Sequence, residues 1–165
     1  MIRPVTAHDV PALCAIYNHY IVHTVVSFEE VPVTDSEFAT RIATVQRAGL
    51  PYLVAEEAGT IVGYAYASRW KERSAYRFCA EVSVYLAHTH VGKGRGTALY
   101  EALFAALRNT PIRVVIGGIA LPNPASIALH EKFGMDKVSH YPRVGYKFGR
   151  WIDVAYWQTE LGPPV

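Results

Sequence analysis

The sequence predicts a single α/β domain in which helices cover the faces of one mixed β-sheet. Strand-like segments interchange with amphipathic helical patterns along the whole chain, and no internal repeat, low-complexity segment or linker interrupts them. The length of 165 residues fits one domain with a sizeable core, and 51% of the residues are hydrophobic. We therefore assign residues 1–161 to the domain and residues 162–165 to a tail.

The first half of the chain opens with a short strand, continues with two helices and ends in a β-hairpin. Thr6 and Asp9 resemble a capping box for a first helix that reaches about Ile21, and Thr34 with Glu37 forms a clear box for a second helix. That second helix ends near Gly49. The predicted strands of this half are Ile2–Val5, Tyr52–Glu56, Ile61–Ser68 and Cys79–Ala87, and a loop with one helical turn covers 70–77.

The second half alternates helices and strands before it closes in further strands. The helices are predicted at Thr97–Arg108, which has an apolar stripe, and at Asn123–Phe133, which Gly134 closes. The strands are Ile112–Ile119, Met135–Tyr141, Val144–Phe148 and Trp151–Leu161. The first of these is almost continuously apolar, which is typical of a buried central strand.

A glycine-rich segment, residues 91–97 (VGKGRGT), joins the fourth strand to the third helix. At such a strand-to-helix turn, backbone N–H groups and the positive end of the helix dipole bind phosphate well. Glycine permits the backbone angles of a tight turn and has no Cβ to block a ligand. We therefore interpret this segment as an anion-binding loop rather than a flexible surface loop.

The spacing of the glycines excludes two common phosphate loops. A nucleotide-binding P-loop needs Gly-x-x-x-x-Gly-Lys-[Ser/Thr], whereas Lys93 here precedes the last two glycines. A dinucleotide site needs Gly-x-Gly-x-x-Gly after the first strand, whereas the motif here is Gly-x-Gly-x-Gly in mid-chain. The pyrophosphate loop of an acyl-CoA-dependent N-acetyltransferase, placed where a central strand splays from its neighbour, fits both position and flanking pattern.

Composition excludes several other classes of protein. The formal charge of +2 is too small to indicate a nucleic-acid partner, and no apolar run reaches the length of a membrane span. The two cysteines, Cys14 and Cys79, form neither a zinc pattern nor a disulfide framework, so we expect reduced thiols in a cytoplasmic protein. His88 and His90 have no further ligand at metal-site spacing, so we expect no metal.

Taken with the order of elements and the glycine loop, several further motifs make the chain resemble the GNAT superfamily of N-acetyltransferases, in particular its phosphinothricin and methionine sulfone branch. The resemblance runs from residue 2 to about 161. These motifs are IYN (16–18), SFE (27–29), VGYA (62–65), AYR (75–77), EVSVY (81–85), NPAS (123–126), LHEK (129–132) and VGYKFGRWIDV (144–154). One departure is Val91, where the superfamily usually has Gln or Arg, so backbone amides must supply most of the phosphate contacts.

The resemblance implies a mostly antiparallel GNAT sheet with helices on both faces and acetyl-CoA as co-substrate. The backbone of Val84, Tyr85 and Leu86 would pair with the pantetheine arm like a missing strand and leave one N–H to polarise the thioester carbonyl. The remaining expected contacts to the cofactor come from the loop and from the fourth helix: Gly92, Lys93, Gly94, Arg95, Gly96, Thr97, Asn123 and Ser126.

Two residues are candidates for proton transfer. Glu81 lies within an otherwise apolar strand a few residues before the loop, and a partly desolvated carboxylate there can accept the ammonium proton directly or through water. The alternative is an acid on a solvated sheet face. His130 lies seven residues after Asn123, where many GNAT enzymes have a Tyr near the CoA sulfur, so it is a candidate acid or relay. The alternative there is a histidine with satisfied hydrogen bonds at a helix end.

The expected acceptor is a small α-amino acid or analogue, such as phosphinothricin, methionine sulfone or methionine sulfoximine. Its pocket is expected to use Phe28, Glu29, Arg73 and Tyr76, with Arg73 binding the substrate carboxylate. The resemblance also implies a homodimer supported by the C-terminal segments. Acetylation of a polyamine, peptide or protein amine remains open, as does a regulatory CoA-binding module without turnover.

Overall fold

Seven strands form one sheet in the order β1-β2-β3-β4-β5-β7-β6 in the computed structural model, which describes residues 1–162. The strands are β1 (Ile2–Pro4), β2 (Tyr52–Glu57), β3 (Thr60–Arg69), β4 (Cys79–Leu86), β5 (Val114–Ala120), β6 (Asp136–Lys147) and β7 (Arg150–Glu160). The helices are α1 (Val10–His23), α2 (Asp35–Arg47), α3 (Arg95–Leu107) and α4 (Pro124–Lys132). Residues 163–165 of the expected tail lie outside the described residues.

The pairing of β4 with β5 is the feature that positions the site. It is parallel, whereas the other neighbouring strands of the described sheet pair antiparallel. It also covers only Cys79–Glu81 against Val114–Ile116. Beyond Glu81 the two strands separate, so a gap opens in the middle of the sheet. The mixed, mostly antiparallel sheet confirms the predicted fold class.

Helices pack on both faces of this sheet. On one face Tyr85 of β4 contacts Tyr17 of α1, with ring centroids 5.3 Å apart. On the other face α4 lies so close that a Cβ atom built at Gly117 of β5 would be 2.4 Å from the ring of His130. We call these the α1/α2 face and the α3/α4 face. Because side chains alternate along a strand, Glu81, Ser83 and Tyr85 share the α1/α2 face.

Local sequence signals explain the ends of the helices. Thr34 accepts from the backbone N–H of Glu37, and the Glu37 carboxylate accepts from the N–H of Thr34, which is the reciprocal capping box predicted from the sequence. The Thr6 and Asp9 box instead opens a 3₁₀ turn, and α1 begins at Val10.

Three predicted boundaries are wrong. The third helix begins at Arg95, two residues earlier than predicted, because Gly94 adopts a left-handed conformation (φ +74°) and serves as its N-cap. The two strands predicted on either side of residues 142–143 are one strand, β6, whose pairing with β7 shifts register between Tyr141 and Gly145. The last strand begins at Arg150, because the preceding turn is made by Phe148 and Gly149.

Candidate active site

A cleft of about 550 Å³ lies at the gap between β4 and β5. Its lining combines the end of β4, the glycine loop, the first turn of α3, one side of α4 along its length, and residues at and after the end of α1. The lining residues are Tyr20, Val26, Val84, Leu86, Val91, Gly92, Gly94, Arg95, Gly96, Thr97, Asn123, Ala125, Ser126, Ala128, Leu129 and Lys132. Most of the residues predicted to contact a cofactor therefore lie together along one cleft.

The backbone of β4 points polar groups into this gap that do not pair with β5. Ala87 donates its N–H to the carbonyl of Val62 on β3. In an antiparallel pair every second residue bonds to the partner strand, so Tyr85 and Ser83 also bond to β3. The N–H and C=O groups of Val84 and Leu86 therefore face the other way, toward the gap. The Leu86 carbonyl accepts a hydrogen bond from the Tyr20 hydroxyl at 2.7 Å.

Tyr85 does not reach the cleft. Its backbone bonds to β3, and its ring packs on the α1/α2 face against Tyr17, Tyr20 and Tyr64. Alternation along the strand turns both its side chain and its backbone hydrogen bonds away from the cleft, so this geometry lends no support to the expected cofactor contact by Tyr85.

The glycine loop has the conformation that an anion site requires. Gly92, Lys93 and Gly94 all adopt positive φ angles, +80°, +56° and +74°. Lys93 is strained there, because L-residues with a Cβ rarely adopt such angles. No side chain caps the first turn of α3, so the N–H groups of Gly96 and Thr97 are free of helical and capping partners and point toward the cleft end.

The two basic side chains of the loop, Arg95 and Lys93, have different surroundings. Arg95 forms a two-pronged ion pair with Glu57 of the β2–β3 turn, at 2.7 Å from Nε to Oε1 and 2.6 Å from Nη2 to Oε2. Its guanidinium is thus already paired with a carboxylate, while the residue also lines the cleft, so its contact with a cofactor phosphate stays a prediction. Lys93 is exposed and does not line the cleft. Lys132 of α4 does line it, although the sequence analysis did not name this residue as a cofactor contact.

The first turn of α4 forms the opposite wall. Asn123 caps the helix by accepting from the N–H of Ser126 at 3.1 Å, and Pro124 occupies the first helical position. Both Asn123 and Ser126, which are predicted cofactor contacts, line the cleft. The N-terminus of α4, which is the positive end of its dipole, therefore faces the same space as the N-terminus of α3.

Glu81 lies at the point where β4 and β5 separate. Its side chain is partly buried, and no hydrogen-bond or ion-pair partner is found for its carboxylate among residues 1–162. Burial raises the pKa of Glu81 above its ordinary value because the charged form is desolvated. A partly desolvated, unpaired carboxylate at this position has the properties of a proton acceptor.

His130 is placed differently from the prediction. It is only 3% exposed, its Nδ1 donates to the backbone carbonyl of Ser126 at 2.7 Å, and its Nε2 lies 3.1 Å from the Tyr100 hydroxyl. Because a carbonyl only accepts, the neutral ring carries its proton on Nδ1 and accepts from Tyr100 at Nε2. Burial lowers the pKa of His130. Direct protonation of a thiolate by His130 is therefore not supported, because the ring is buried behind Ser126, neutral and fully engaged.

Two adjacent glycines of β5, which no sequence motif singled out, create the space for both groups. A Cβ atom at Gly117 would lie 2.4 Å from Cδ2 and Nε2 of His130 on the α3/α4 face. A Cβ atom at Gly118 would lie 2.8 Å from Cε1 of Tyr156 and 3.2 Å from Oε1 of Glu81 on the α1/α2 face. Glu81 and His130 therefore lie on opposite faces of the sheet, over neighbouring residues of one strand.

The expected acceptor residues do not all remain available. Glu29 is held in a two-pronged ion pair by Arg41, with N···O distances of 2.8 and 2.7 Å, and it also accepts from the Tyr17 hydroxyl. The Arg41 hydrogen bonds lower the pKa of Glu29 despite partial burial. Both carboxylate oxygens of Glu29 therefore already accept hydrogen bonds within the chain, and its contact with substrate stays a prediction. Phe28 packs against Gly145 of β6 and remains 41% exposed.

The segment between β3 and β4 forms another side of the α1/α2 face. Trp70 packs edge-on against Tyr156, 5.3 Å between ring centroids, and so lies near Glu81. Arg73 is exposed and caps a 3₁₀ turn that contains Tyr76, which is 40% exposed. Arg73 makes no ion pair within residues 1–162, so its guanidinium is available to an anion.

Two further findings concern other kinds of site. No group of three or more His, Cys, Asp or Glu side chains among residues 1–162 is arranged to hold a metal ion. No helix within those residues is both long and apolar enough to span a membrane.

Comparisons with known proteins agree with this geometry. The family model described as "Acetyltransferase (GNAT) domain" matches residues 2–156. The phosphinothricin N-acetyltransferase of Alcaligenes faecalis is 45% identical over 161 residues, 97% of this chain and 82% of that protein. The L-methionine sulfoximine/L-methionine sulfone acetyltransferase of Salmonella typhimurium is 38% identical over 93% of this chain and 90% of that protein.

Solved structures show the same fold. The GNAT superfamily phosphinothricin acetyltransferase of Sinorhizobium meliloti, crystallised in complex with AcCoA, superposes with a TM-score of 0.95 at 38% identity, covering 98% of this chain and 88% of that one. These matches confirm the resemblance predicted from the sequence, and the chain belongs to the GNAT family of acetyltransferases.

Proposed function

We propose that this protein transfers the acetyl group of acetyl-CoA to the α-amine of a small amino acid or analogue of the phosphinothricin, methionine sulfone or methionine sulfoximine type. One observation carries the proposal: the gap with unpaired backbone groups ends at Glu81, a carboxylate without a partner among residues 1–162. A cofactor arm lying in that gap would present its thioester next to a group that can accept a proton.

The residues of the cleft fit the shape and charge of CoA. The pyrophosphate would bind the backbone amides of Gly92–Thr97 at the start of α3, with Lys93 and Lys132 as the available cations. The pantetheine arm would pair with the backbone of Val84 and Leu86 as an added strand. When bound, acetyl-CoA supplies the activated acyl group, and this chain's residues orient it and exclude water.

Glu81 would act as the base. An amino acid arrives mainly as an ammonium ion, which cannot attack, and the raised pKa of Glu81 brings its proton affinity closer to that of the amine. The neutral amine would then attack the thioester carbonyl, so that the C–N bond forms and the C–S bond breaks. The proton that the nitrogen sheds on becoming an amide would neutralise the departing thiolate. Holding the two reactants together supplies a large part of the rate.

The sulfur would leave toward the first turn of α4. Ser126 lines the cleft there, and the helix dipole favours negative charge. His130 lies directly behind Ser126, with Nδ1 3.5 Å from the Ser126 hydroxyl, which is too long for an effective hydrogen bond. We therefore propose Ser126 and the helix dipole as the groups that stabilise the thiolate, and we give His130 at most an indirect part through Ser126.

The charges on the α1/α2 face favour an acceptor that carries an acid group. Arg73 is free to bind a carboxylate, and Lys71 lies beside Tyr76, 6.0 Å from its ring centroid. A polyamine would need carboxylates for its further ammonium groups, and one acid of the α1–α2 segment, Glu29, is neutralised by Arg41. The alternative of a polyamine acceptor is therefore the weaker one.

The thiol released from acetyl-CoA measures this activity directly. We expect release with phosphinothricin, methionine sulfone or methionine sulfoximine and little with spermidine or a lysine peptide. Arg73→Met should raise the KM for the amino acid about tenfold or more, as expected for loss of a charged hydrogen bond. Arg108→Met, which removes an exposed arginine at the end of α3, is the matched control. Release with the polyamine or peptide alone would overturn the assignment of the acceptor.

We further propose that the enzyme is a homodimer. Supporting this, β6 is an edge strand, and a group of apolar side chains on β6, the turn after it and the start of β7 is exposed to between 50% and 63%: Val138, Tyr141, Val144, Tyr146, Phe148 and Trp151. Sedimentation velocity should show a dimer that Trp151→Glu dissociates. The free state of both cysteines supports a cytoplasmic location.

A further inference from the structure

Lys147 is a buried lysine on an edge strand. Its residue is only 2% exposed, whereas its neighbours Tyr146 and Phe148 are 58% and 57% exposed. Burial lowers the pKa of Lys147, and the nearby acids Glu30 and Glu29 oppose that effect. Burying an ammonium group is costly, so the lysine must make a contact that an apolar residue of the same length cannot make.

That contact is to the segment between α1 and α2. Nζ of Lys147 donates to the backbone carbonyl of Ser27 at 2.6 Å. Two residues earlier on the same side of β6, Gly145 accommodates the ring of Phe28, because a Cβ atom there would lie 2.3 Å from Cε2 of that ring. Consecutive residues of the segment are therefore fixed by alternate residues of one strand.

The position of this segment matters for the site. Residues 24–34 contain neither helix nor strand, so local hydrogen-bond ladders do not hold them. Val26 lies on the cofactor cleft, and Phe28 covers the sheet on the face that carries Glu81. The strand register gives this face. Gly145 pairs with Ile152 of β7, and Ile152 lies on the same side of β7 as Tyr156. Tyr156 in turn lies beside Glu81.

We propose that Lys147 is a positioning residue that holds Ser27 and Phe28 as a wall of the acceptor site, and that it thereby sets the affinity for the amine and not for acetyl-CoA. This inference rests on the proposed function, since the wall has meaning only beside an acceptor amine. Lysine is required because only a donor of this reach bonds the Ser27 carbonyl.

The test is Lys147→Met, which keeps the length and apolar stem but removes the donor. We expect the KM for the amino acid to rise about tenfold or more, in line with the loss of a charged hydrogen bond. We expect the KM for acetyl-CoA to stay within about twofold and the melting temperature to be unchanged or higher, because a buried charge is removed. Lys137→Met, on the same strand at an exposed position, is the matched control.

Two further measurements keep the test decisive. Backbone amides of Ser27–Val31 should exchange hydrogen faster in Lys147→Met than in the parent protein, whether or not an acceptor has been found. Gly145→Ala, which displaces Phe28 through the other contact, should give the same selective rise in KM.

The outcomes separate this inference from the proposed function. Unchanged KM values and unchanged exchange in Lys147→Met would refute the positioning role while leaving the enzyme's activity intact. A parallel rise of both KM values with a lower melting temperature would also refute it, because that is the result of general destabilisation. Faster exchange in a protein that acetylates no amine would leave the contact correct and refute the proposed function.

Discussion

Replacing Glu81 with Gln tests the chemistry at the end of the gap. Gln has nearly the same shape and cannot accept the ammonium proton, so the substitution removes the base without emptying its site. Loss of a general base lowers turnover by about 10²–10⁴-fold. Acetyl-CoA affinity should not change, because the backbone of β4 and the glycine loop form the proposed cofactor contacts.

The pH dependence follows from the raised pKa of Glu81. Only the ionised carboxylate accepts a proton, so kcat/KM should fall as the pH drops through that raised pKa. In Glu81→Gln this acidic limb should disappear. The free energy of unfolding should depend on pH in the opposite sense from kcat/KM. A raised pKa in the folded state favours folding below the unfolded pKa, and this contribution is lost as the pH rises through the folded pKa.

At neutral pH the variant should therefore be more stable than the parent, because its neutral amide carries no charge to desolvate. Thiol release from pH 5 to 9 and thermal melts at pH 7 measure the two effects. Glu101→Gln, at an exposed position on α3, serves as the control for loss of a carboxylate. Turnover of Glu81→Gln within about threefold of the parent, with the acidic limb intact, would refute the role of this residue.

Three other substitutions test the surroundings. Gly118→Ala should lower turnover and cost about 1–3 kcal/mol of stability, because the new methyl group would lie within 3.2 Å of the Glu81 carboxylate; normal kinetics and melting would contradict the packing. Asp9 has a pKa lowered to about 2, chiefly by its hydrogen bonds to Arg3, so it stabilises the fold above about pH 4 and loses that effect as the pH falls toward 2. Asp9→Asn should therefore have a lower melting temperature than the parent at pH 7, and this difference should be smaller at pH 2–3. Tyr100→Phe removes the donor to Nε2 of His130 and should lower the free energy of unfolding by about 1 kcal/mol. Turnover should change less than about threefold, and a large loss of turnover would indicate that His130 takes part in the reaction.

Much of the fold was predictable because its signals are local. The Thr34–Glu37 capping box, the helix ended by Gly134 and the glycine turn before α3 each appear within a few residues of sequence. The separation of β4 from β5 was expected from the family resemblance, and the register of the sheet shows where it begins.

The errors arise where distant residues meet. Arg95 and Glu57 are 38 positions apart, and Glu29 and Arg41 are 12 apart, so the sequence showed free charges where the fold makes ion pairs. Tyr85 was predicted as a cofactor contact from motif membership, which does not specify which side of the strand its groups face. His130 was predicted from its spacing after Asn123, but its burial depends on Gly117, which lies on another strand.

The most direct test of the account offers the enzyme a choice of amines in one reaction. Acetyl-CoA would be added to an equimolar mixture of phosphinothricin, methionine sulfone, methionine sulfoximine, spermidine and a lysine peptide, and the products would be identified by mass spectrometry. Preferential acetylation of one or more of the amino acid analogues at the α-amine, abolished by Glu81→Gln, is the expected result. Acetylation confined to spermidine or the peptide, or undiminished in Glu81→Gln, would contradict the account.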